Sequence, residues 1–503
     1  MNRDGARKSI WQKDVKTFGE AFEIGQKFDT VIVGAGITGV STALQLQEKG
    51  QKCLLIEASN VAFGTTGGTT AHLNNFFDTT YAQAARDFGD DNAKLLFQSA
   101  LSALSTIKNN ISKYSIDCDF KNKNAYIFAL DKKQVKQLDE IVEGSGKVGH
   151  EVFETEQIPF PIPFEKAVQV PGQAQFHPVK YVIALCEAFK NAGGQIAENC
   201  RYDSHDKEQD LLEIKTSRGI VYTKNLVFAT HIPPGNNIFN FTNAPYRSYA
   251  IAVKLNGEYP TELGYDLYDP YRYYRTHDIE GEMLMIAGGE DHKTGHIENT
   301  EECFKNLENY VREHFDVEEI VYSWSSQYYE PTDGLPYIGK SPGEDNIYVA
   351  TGFRGNGMIF GTLSSQLISD LIIRNESEYE SLFKPTRVKP IAGFSSFVKE
   401  NADVAYTMIA DKIFIEKLNS LTDIEDDGGK IVKYEDDNYA IYKEKSGKLH
   451  IVKSTCPHAK CEVRFNNAEK SWDCPCHGSR FGIKGNLLNA PATDDLPRID
   501  LGL

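Results

Sequence analysis

The sequence predicts an α/β protein with an α+β part set into it and a small all-β unit at its C-terminal end. Three observations predict it. A glycine-rich turn, Gly34-Ala-Gly-Ile-Thr-Gly39, separates a short apolar run from a helical one near the N-terminus. Apolar and polar residues alternate in runs between 241 and 330, as in strands with one buried face. From Cys456 to His477, four cysteines and two histidines follow a series of short β-patterned runs, whereas the other five cysteines of the chain are scattered.

Each part of the first unit has a physical reason. Thr30–Val33 reads as a strand, Val40–Lys49 has helical spacing and stops at Gly50, and Lys52–Ile56 is a second strand that delivers Glu57. Gly34 permits the tight turn, Gly36 lets a pyrophosphate approach the backbone, and Gly39 lets helix and strand pack closely. The helix start, which includes Thr38, offers unpaired N–H groups and partial positive charge to phosphate. Glu57 lies eighteen positions beyond Gly39, near the roughly 20 expected for an acid that takes ribose hydroxyls. The unit is read as Rossmann-like and dinucleotide-binding. The alternative is a glycine turn in an unrelated α/β unit.

The choice between FAD and NAD rests on resemblance. Gly64–Leu73 reads GTTGGTTAHL, Gly194–Tyr202 reads GQIAENCRY, and Asn225–His231 reads NLVFATH. Pro331–Gly361 reads PTDGLPYIGKSPGEDNIYVATGFRGNGMIFG. Spread over residues 28–387, these segments resemble the flavoproteins of the D-amino acid oxidase family, which includes glycine oxidase, sarcosine oxidase and the bacterial amino acid dehydrogenases. The resemblance implies FAD as cofactor. It places Gly34, Gly36, Thr38, Gly39, Glu57 and Ala58 on the dinucleotide, with Thr65, Thr66, Thr69, Tyr202 and Thr230 around it. Gly352, Gly355, Gly357 and Met358 fall where a glycine-rich turn meets the flavin ring, before a helix expected over Thr362–Ile373. His72 lies beyond the position of the family's covalent attachment, so the bond is expected to be non-covalent. FAD-binding parts are expected at about 28–90, 150–240 and 330–387, and substrate-domain parts at about 91–149 and 241–329, after an N-terminal arm of 1–27.

In the middle of the chain, Leu95, Leu96, Ala100, Leu104, Ile107 and Ile111 mark a core-facing helix over Asp91–Tyr114. Ser248–Leu255 and Glu282–Ala287 read as strands, by resemblance part of the sheet that roofs the flavin. Family members bind an amino acid carboxylate with Arg, whose planar fork is bidentate, often helped by Tyr. YRYYRTH supplies candidates: alternation puts Tyr271, Tyr273 and Arg275 on one face and Arg272 and Tyr274 on the other. Arg275, Tyr273 and, from the glycine-rich turn, Arg354 are the candidate catalytic residues; a solvated edge strand is the alternative. In EDHKTGH, Glu290, His292 and His296 could imitate a two-His-one-carboxylate iron site. The turn Lys293-Thr-Gly295 argues instead for a flavin-pocket loop or a surface turn.

FKPTRVKP, Phe383–Pro390, closes the flavoprotein module, and 388–422 is expected to be a linker. Ile391–Phe414 reads as a helix with Phe394, Phe397, Val398, Ala405, Met408, Ile409 and Ile413 largely on one side, a stripe suited to docking on that module. Asp423–Gly429, DIEDDGG, is an acidic boundary, and β-patterned runs follow at 430–434, 438–444 and 448–454.

The C-terminal ligand candidates form two loops, Cys456-x-His458 and Cys474-x-x-His477. A Cys₂His₂ zinc site is one reading, although zinc fingers keep Cys with Cys and His with His. A mixed pair on each loop suits a Rieske 2Fe–2S cluster, in which one iron takes two thiolates and the other two imidazoles. CPHAKC…CPCHGSRF closely resembles Rieske proteins. The resemblance implies Cys456 and Cys474 on one iron, His458 and His477 on the other, and a Cys461–Cys476 disulfide between the loops. It also implies that Ser479 donates to a bridging sulfide and that Asn489–Ala492, NAPA, covers the cluster. Phe481 stands where high-potential members carry a Tyr hydroxyl, so a middle potential is expected. A lasting disulfide is unusual in a reducing cytosol.

Bulk properties narrow the function. Charge is −17 and pI about 5.3, which argues against nucleic acid or an anionic membrane as partner. There is no apolar run of spanning length, and Met1–Lys16 lacks a signal-peptide core, so the protein is expected to be cytoplasmic. The expected activity is oxidation of a C–H beside an amine nitrogen of an amino acid or related amine. Electrons would pass from FAD through the cluster to an external one-electron acceptor. A Rieske-dependent oxygenase, an electron-transfer protein or reductase component without an amine substrate, and an oxidase with a structural cluster stay open.

Overall fold

The computed structural model describes residues 5–13, 15–19, 22–387, 394–413, 424–435 and 437–500, without side chains at 394, 395, 405, 406 and 408–413. Lys27–Val33, Cys53–Ile56 and Gln195–Ala197 run parallel in one sheet, with Gly219–Phe228 and Ile347–Thr351 continuing it on the other side of Lys27–Val33. Val31, Ile32, Leu54, Leu55 and Val227 are fully buried, as expected of parallel strands covered on both faces. Because the chain leaves Lys27–Val33 toward one neighbour and returns beside the other, a crevice opens at the strands' carboxyl ends.

A second sheet of nine strands packs over that crevice. Its order runs from Val317–Pro331 through Asn243–Leu255, Glu282–Lys293, Tyr273–Ile279 and Leu263–Asp266 to Lys121–Ala129 and Lys166–Gln175. The boundary expected near residue 150 is corrected here. Phe153–Thr155 pairs with Lys166–Gln175, which pairs with Lys121–Ala129, so both strands belong to the roof. The central helix spans Asp90–Lys113. The N-terminal arm is built into the core: Trp11 is 1% exposed, and its indole N–H donates to the carbonyl oxygen of Thr69 at 2.6 Å.

The C-terminal unit is two small antiparallel sheets, one of Gly428–Tyr434, Asp437–Lys443 and Leu449–Lys453 and one of four short strands over 464–489. It docks on the roof through buried polar contacts. Thr300 Oγ1 donates to Asn466 Oδ1 at 2.8 Å. Glu469 accepts from Ser325 Oγ at 2.5 Å and from the N–H of Arg7 at 3.2 Å. The helix before it is Phe394–Ile413. Its described contacts with the roof sheet and the turn before it are polar: Lys293 Nζ lies 2.6 Å from Glu400 and pairs with Asp403, and Asn401 donates to the carbonyl oxygen of Phe241 at 3.0 Å. Phe397 and Val398 of the expected apolar stripe are exposed. Residues 391–393 and 414, and the side chains of Phe394, Ala405, Met408, Ile409 and Ile413, lie outside the described set. Among the described residues, no helix is long and apolar enough to cross a membrane.

Candidate functional site

A cavity of about 1430 Å³ occupies the crevice, with Val33, Gly34, Ala229 and Thr230 at its floor. Two helices aim their N-termini into it. Ile37–Glu48 starts after Gly36 and Gly357–Arg374 after Asn356, and neither of these preceding residues caps its helix with a side chain. First-turn N–H groups of an uncapped helix suit an anionic ligand. The second helix begins five residues earlier than expected, so Gly357 and Met358 are part of it. A Cβ on Gly36 would stand 2.9 Å from Thr66 Oγ1, which accepts from the N–H of Ile37 at 3.0 Å. Glu57 accepts from the N–H groups of Ala35 at 2.8 Å and Ser59 at 3.0 Å. Thr38, Glu57, Ala58, Thr65, Thr66 and Thr69 line the cavity, as do Tyr202, Thr230 and Gly355.

Two of the expected cofactor glycines do not line it. A Cβ on Gly39 would overlap the carbonyl oxygen of Gly34 at 1.8 Å, so Gly39 serves helix–strand packing. Gly352, at φ +77°, backs onto Asn243 Oδ1 instead. The volume, the glycine floor and the two uncapped helix ends together fit a flavin dinucleotide.

Beyond the second helix end, the cavity is walled by Tyr271, Tyr273, Tyr328, His72 and a set of acids. Arg275 requires a correction. It shares the strand face of Tyr273 but passes beyond the cavity, where its guanidinium donates to the carbonyl oxygens of Thr70 at 2.7 Å and Ala71 at 2.9 Å. With Nη1 on backbone carbonyls and Nη2 2.6 Å from His277 Nδ1, it lies outside the cavity and is unsuited to hold a substrate carboxylate. Arg354 does line the cavity, in a left-handed conformation at φ +50°. It lies 3.3 Å from Glu330 and donates to Thr79 Oγ1 at 3.1 Å. Burial, then Arg275, pushes the His72 imidazole down to about 3, so it is neutral at physiological pH.

Three cavity-lining acids, Asp78, Asp291 and Glu330, were not singled out from sequence. Asp78 accepts from Tyr271 Oη and from the N–H of Gly355, each at 3.0 Å. Asp291 accepts from Tyr328 Oη at 2.9 Å, and burial raises its carboxyl to about 7. The EDHKTGH segment holds Asp291 in the cavity but does not gather Glu290, His292 and His296. Glu290 lies 3.5 Å from Arg272, His292 bonds to Tyr249 Oη at 2.8 Å, and His296 lies 3.5 Å from Asp403.

In the C-terminal unit the two loops meet. Cys456 and Cys474 share a sulfur hydrogen bond, and the rings of His458 and His477 stand 5.0 Å apart. Cys461, Cys474 and Cys476 also lie within 4.8 Å of one another, but Cys461 and Cys476 form a disulfide. Two thiols and two imidazoles are therefore the available donors. Nδ1 of His458 and both ring nitrogens of His477 are buried without hydrogen-bond partners, a cost that ligation would remove. Burial lowers both imidazoles, His477 to about 4, keeping them in the neutral form that binds metal. The Ser479 hydroxyl bonds to Cys456 and accepts from the N–H of Ala492 at 2.9 Å. This donor set fits a 2Fe–2S cluster.

One strand separates the cavity from these loops. Along Val317–Pro331, Ser326, Tyr328 and Glu330 face the cavity. Ser325, Gln327 and Tyr329 face the cluster unit: Gln327 Nε2 donates to the carbonyl oxygen of Gly478 at 2.8 Å, and Tyr329 Oη to that of His477 at 3.4 Å. The period of two in a strand produces this division. The histidine edge of the loops is turned toward the flavoprotein part: His458 Nε2 lies 2.9 Å from Asn240 Nδ2, and Phe241 stands edge-on to His477 at 5.9 Å.

Comparison with known proteins follows the same division. The FAD dependent oxidoreductase (DAO) family matches residues 29–371, and the Rieske [2Fe-2S] domain matches residues 416–500. The chain is 33% identical to YhfW of Bacillus subtilis (strain 168), named as a Rieske 2Fe-2S iron-sulfur protein, over 99% of this chain and 98% of that one. It is 24% identical to gamma-glutamylputrescine oxidoreductase of Escherichia coli (strain K12), over 73% of this chain and 88% of that one. The crystal structure of glycine oxidase from Geobacillus kaustophilus superposes with a TM-score of 0.61 at 18% identity, over 72% of this chain and 99% of that one.

Proposed function

Since the chain belongs to the FAD dependent oxidoreductase family and carries a Rieske [2Fe-2S] domain after that module, we propose that it is an amine dehydrogenase. In this reading it oxidises a C–H bond beside the nitrogen of an amine or amino acid and delivers the electrons, through the cluster, to an external one-electron acceptor. The observation that carries the reading is the two-faced strand Val317–Pro331, with the cavity on one side and the cluster loops on the other.

When bound, FAD accepts a hydride's two electrons and a Rieske cluster passes electrons singly. Gly34, Gly36, Glu57, Thr66 and the start of Ile37–Glu48 would hold the dinucleotide, and Cys456, His458, Cys474 and His477 the cluster. Tyr273 and Arg354 shape the substrate end; Arg275 supports the wall behind it. Charge there supports an amine: Asp78, Asp291 and Glu330 outnumber Arg354, which is already engaged by Glu330. An amine gives up hydride only with its nitrogen lone pair free, so an ammonium must first lose a proton. The Asp291 carboxylate is suited to take it, because its pKa is near operating pH. The imine product hydrolyses in water.

Stopped-flow reduction by candidate amines, with flavin and cluster absorption followed separately, tests the proposal. Flavin bleaching followed by cluster reduction is expected. A cluster that stays oxidised through turnover removes the route.

A further inference from the structure

The large cavity is not walled by the flavoprotein part alone. Leu487, Leu488, Asn489, Ala490 and Thr493 of the cluster domain line it together with Gly34, Gly36 and Glu57. We propose that the segment Asn486–Asp495 is a wall of the FAD site, so that the dinucleotide is held between two domains and leaves only when the cluster domain lifts away.

Three contacts seat the segment. The carbonyl oxygen of Pro491 accepts from the N–H of Gly235 at 2.8 Å, and that of Ala490 from Tyr329 Oη at 3.3 Å. Asp495 lies 3.8 Å from Arg201. Arg201 and Pro234, which precedes Gly235, also line the cavity. The wall mixes apolar surface from Leu488 and Ala490 with the polar groups of Asn489 and Thr493, the combination that buries a heterocycle while hydrogen-bonding its edges. It is also tied to the metal loops, since the N–H of Ala492 donates to Ser479 Oγ. A ligand bound only in the docked state stabilises docking, and by linkage docking tightens the ligand. FAD retention and cluster-domain position are thus one equilibrium.

The test uses the full-length holoprotein carrying Leu488→Cys. The native cysteines are all buried, so a maleimide reports on the new thiol. Labelling is expected to be at least about ten-fold slower with FAD bound than after FAD is stripped, and equal rates overturn the wall. Separately, Asn489→Ala is expected to raise the FAD dissociation constant about ten-fold, the equivalent of one lost interaction of about 1.4 kcal/mol. Flavin fluorescence reads the constant, and an unchanged cluster absorption spectrum shows that the domain is folded. Unaltered FAD affinity in a variant with an intact cluster counts against the proposal. Neither readout depends on amine oxidation, so this inference and the dehydrogenase reading fail separately.

Discussion

Tyr329 shares its hydroxyl proton between the carbonyl oxygens of His477, at 3.4 Å, and Ala490, at 3.3 Å. Its ring stands edge-on to His231 at 4.8 Å, and His231 lines the cavity, bonded to Thr65 Oγ1 at 3.1 Å. His231 has φ +72°, a left-handed conformation uncommon for a residue with a side chain. One aromatic residue thus touches a cavity wall and a cluster loop at once.

Tyr329→Phe keeps the ring and removes the hydroxyl. Loss of a hydrogen bond of about 0.5–1.5 kcal/mol is expected to loosen loop docking. Cluster reduction should slow a few-fold while, at saturating FAD, the rate of flavin reduction by substrate stays the same. Stopped-flow traces at the two absorption bands separate these steps.

Asp291→Asn is expected to change the pH profile of flavin reduction. In the native protein the carboxyl, raised to about 7 by burial, is protonated below that pH and anionic above it. The rate should therefore climb with pH through an inflection near 7. Facing the same space are Asp78, Glu330, Arg354, Tyr271, Tyr273, Tyr328 and Ser248, of which the two acids push the inflection up and hydrogen bonds from Ser248 and Tyr328 pull it down. The Asn variant should lose at least about ten-fold in rate at neutral pH, within the range for general base catalysis, and lose the inflection.

Asp473→Asn is expected to destabilise the cluster domain by about 3–5 kcal/mol, the cost of breaking a buried ion pair. Asp473 lies 2.9 Å from Arg480 Nε with both side chains essentially unexposed. Burial works against its charge, but Arg480, Arg247 and hydrogen bonds outweigh it and depress the pKa. A depressed carboxyl stabilises the fold above its unfolded pKa, and that contribution fades as pH falls through the folded one. Thermal melts of the native protein should therefore lose stability on acidification, and those of the variant less so.

His458→Ala or His477→Ala should abolish the Rieske absorption and spin-resonance signals while FAD remains bound. Metal analysis and flavin absorption on the same sample check both halves. A native protein that holds zinc at this site would contradict the assignment of its ligands.

Much of this organisation was legible in local pattern. The glycine turn with its flanking strands, and the paired Cys–His loops, are contiguous motifs whose chemistry travels with their spacing. Arg275 was misplaced because alternation specifies a strand face but not how far along that face the cavity extends. Asp78, Asp291 and Glu330 come from a loop, a strand end and a different strand, so only the tertiary fold brings them together. The start of the helix at Gly357 was hidden because glycines score poorly as helix formers. Asn489–Ala492 resembles the loop that covers a Rieske cluster; that Asn489, Ala490 and Ala492 also line the large cavity depends on how two domains dock, which no local pattern encodes.

The strand Val317–Pro331 ties the two modules to a common reading frame. A slip of one residue in its pairing with Asn243–Leu255 would turn Gln327 and Tyr329 inward and send Tyr328 and Glu330 out. An insertion between Ser325 and Glu330 would reverse both faces at once, so this stretch, which meets a site on each side, should reject changes of length.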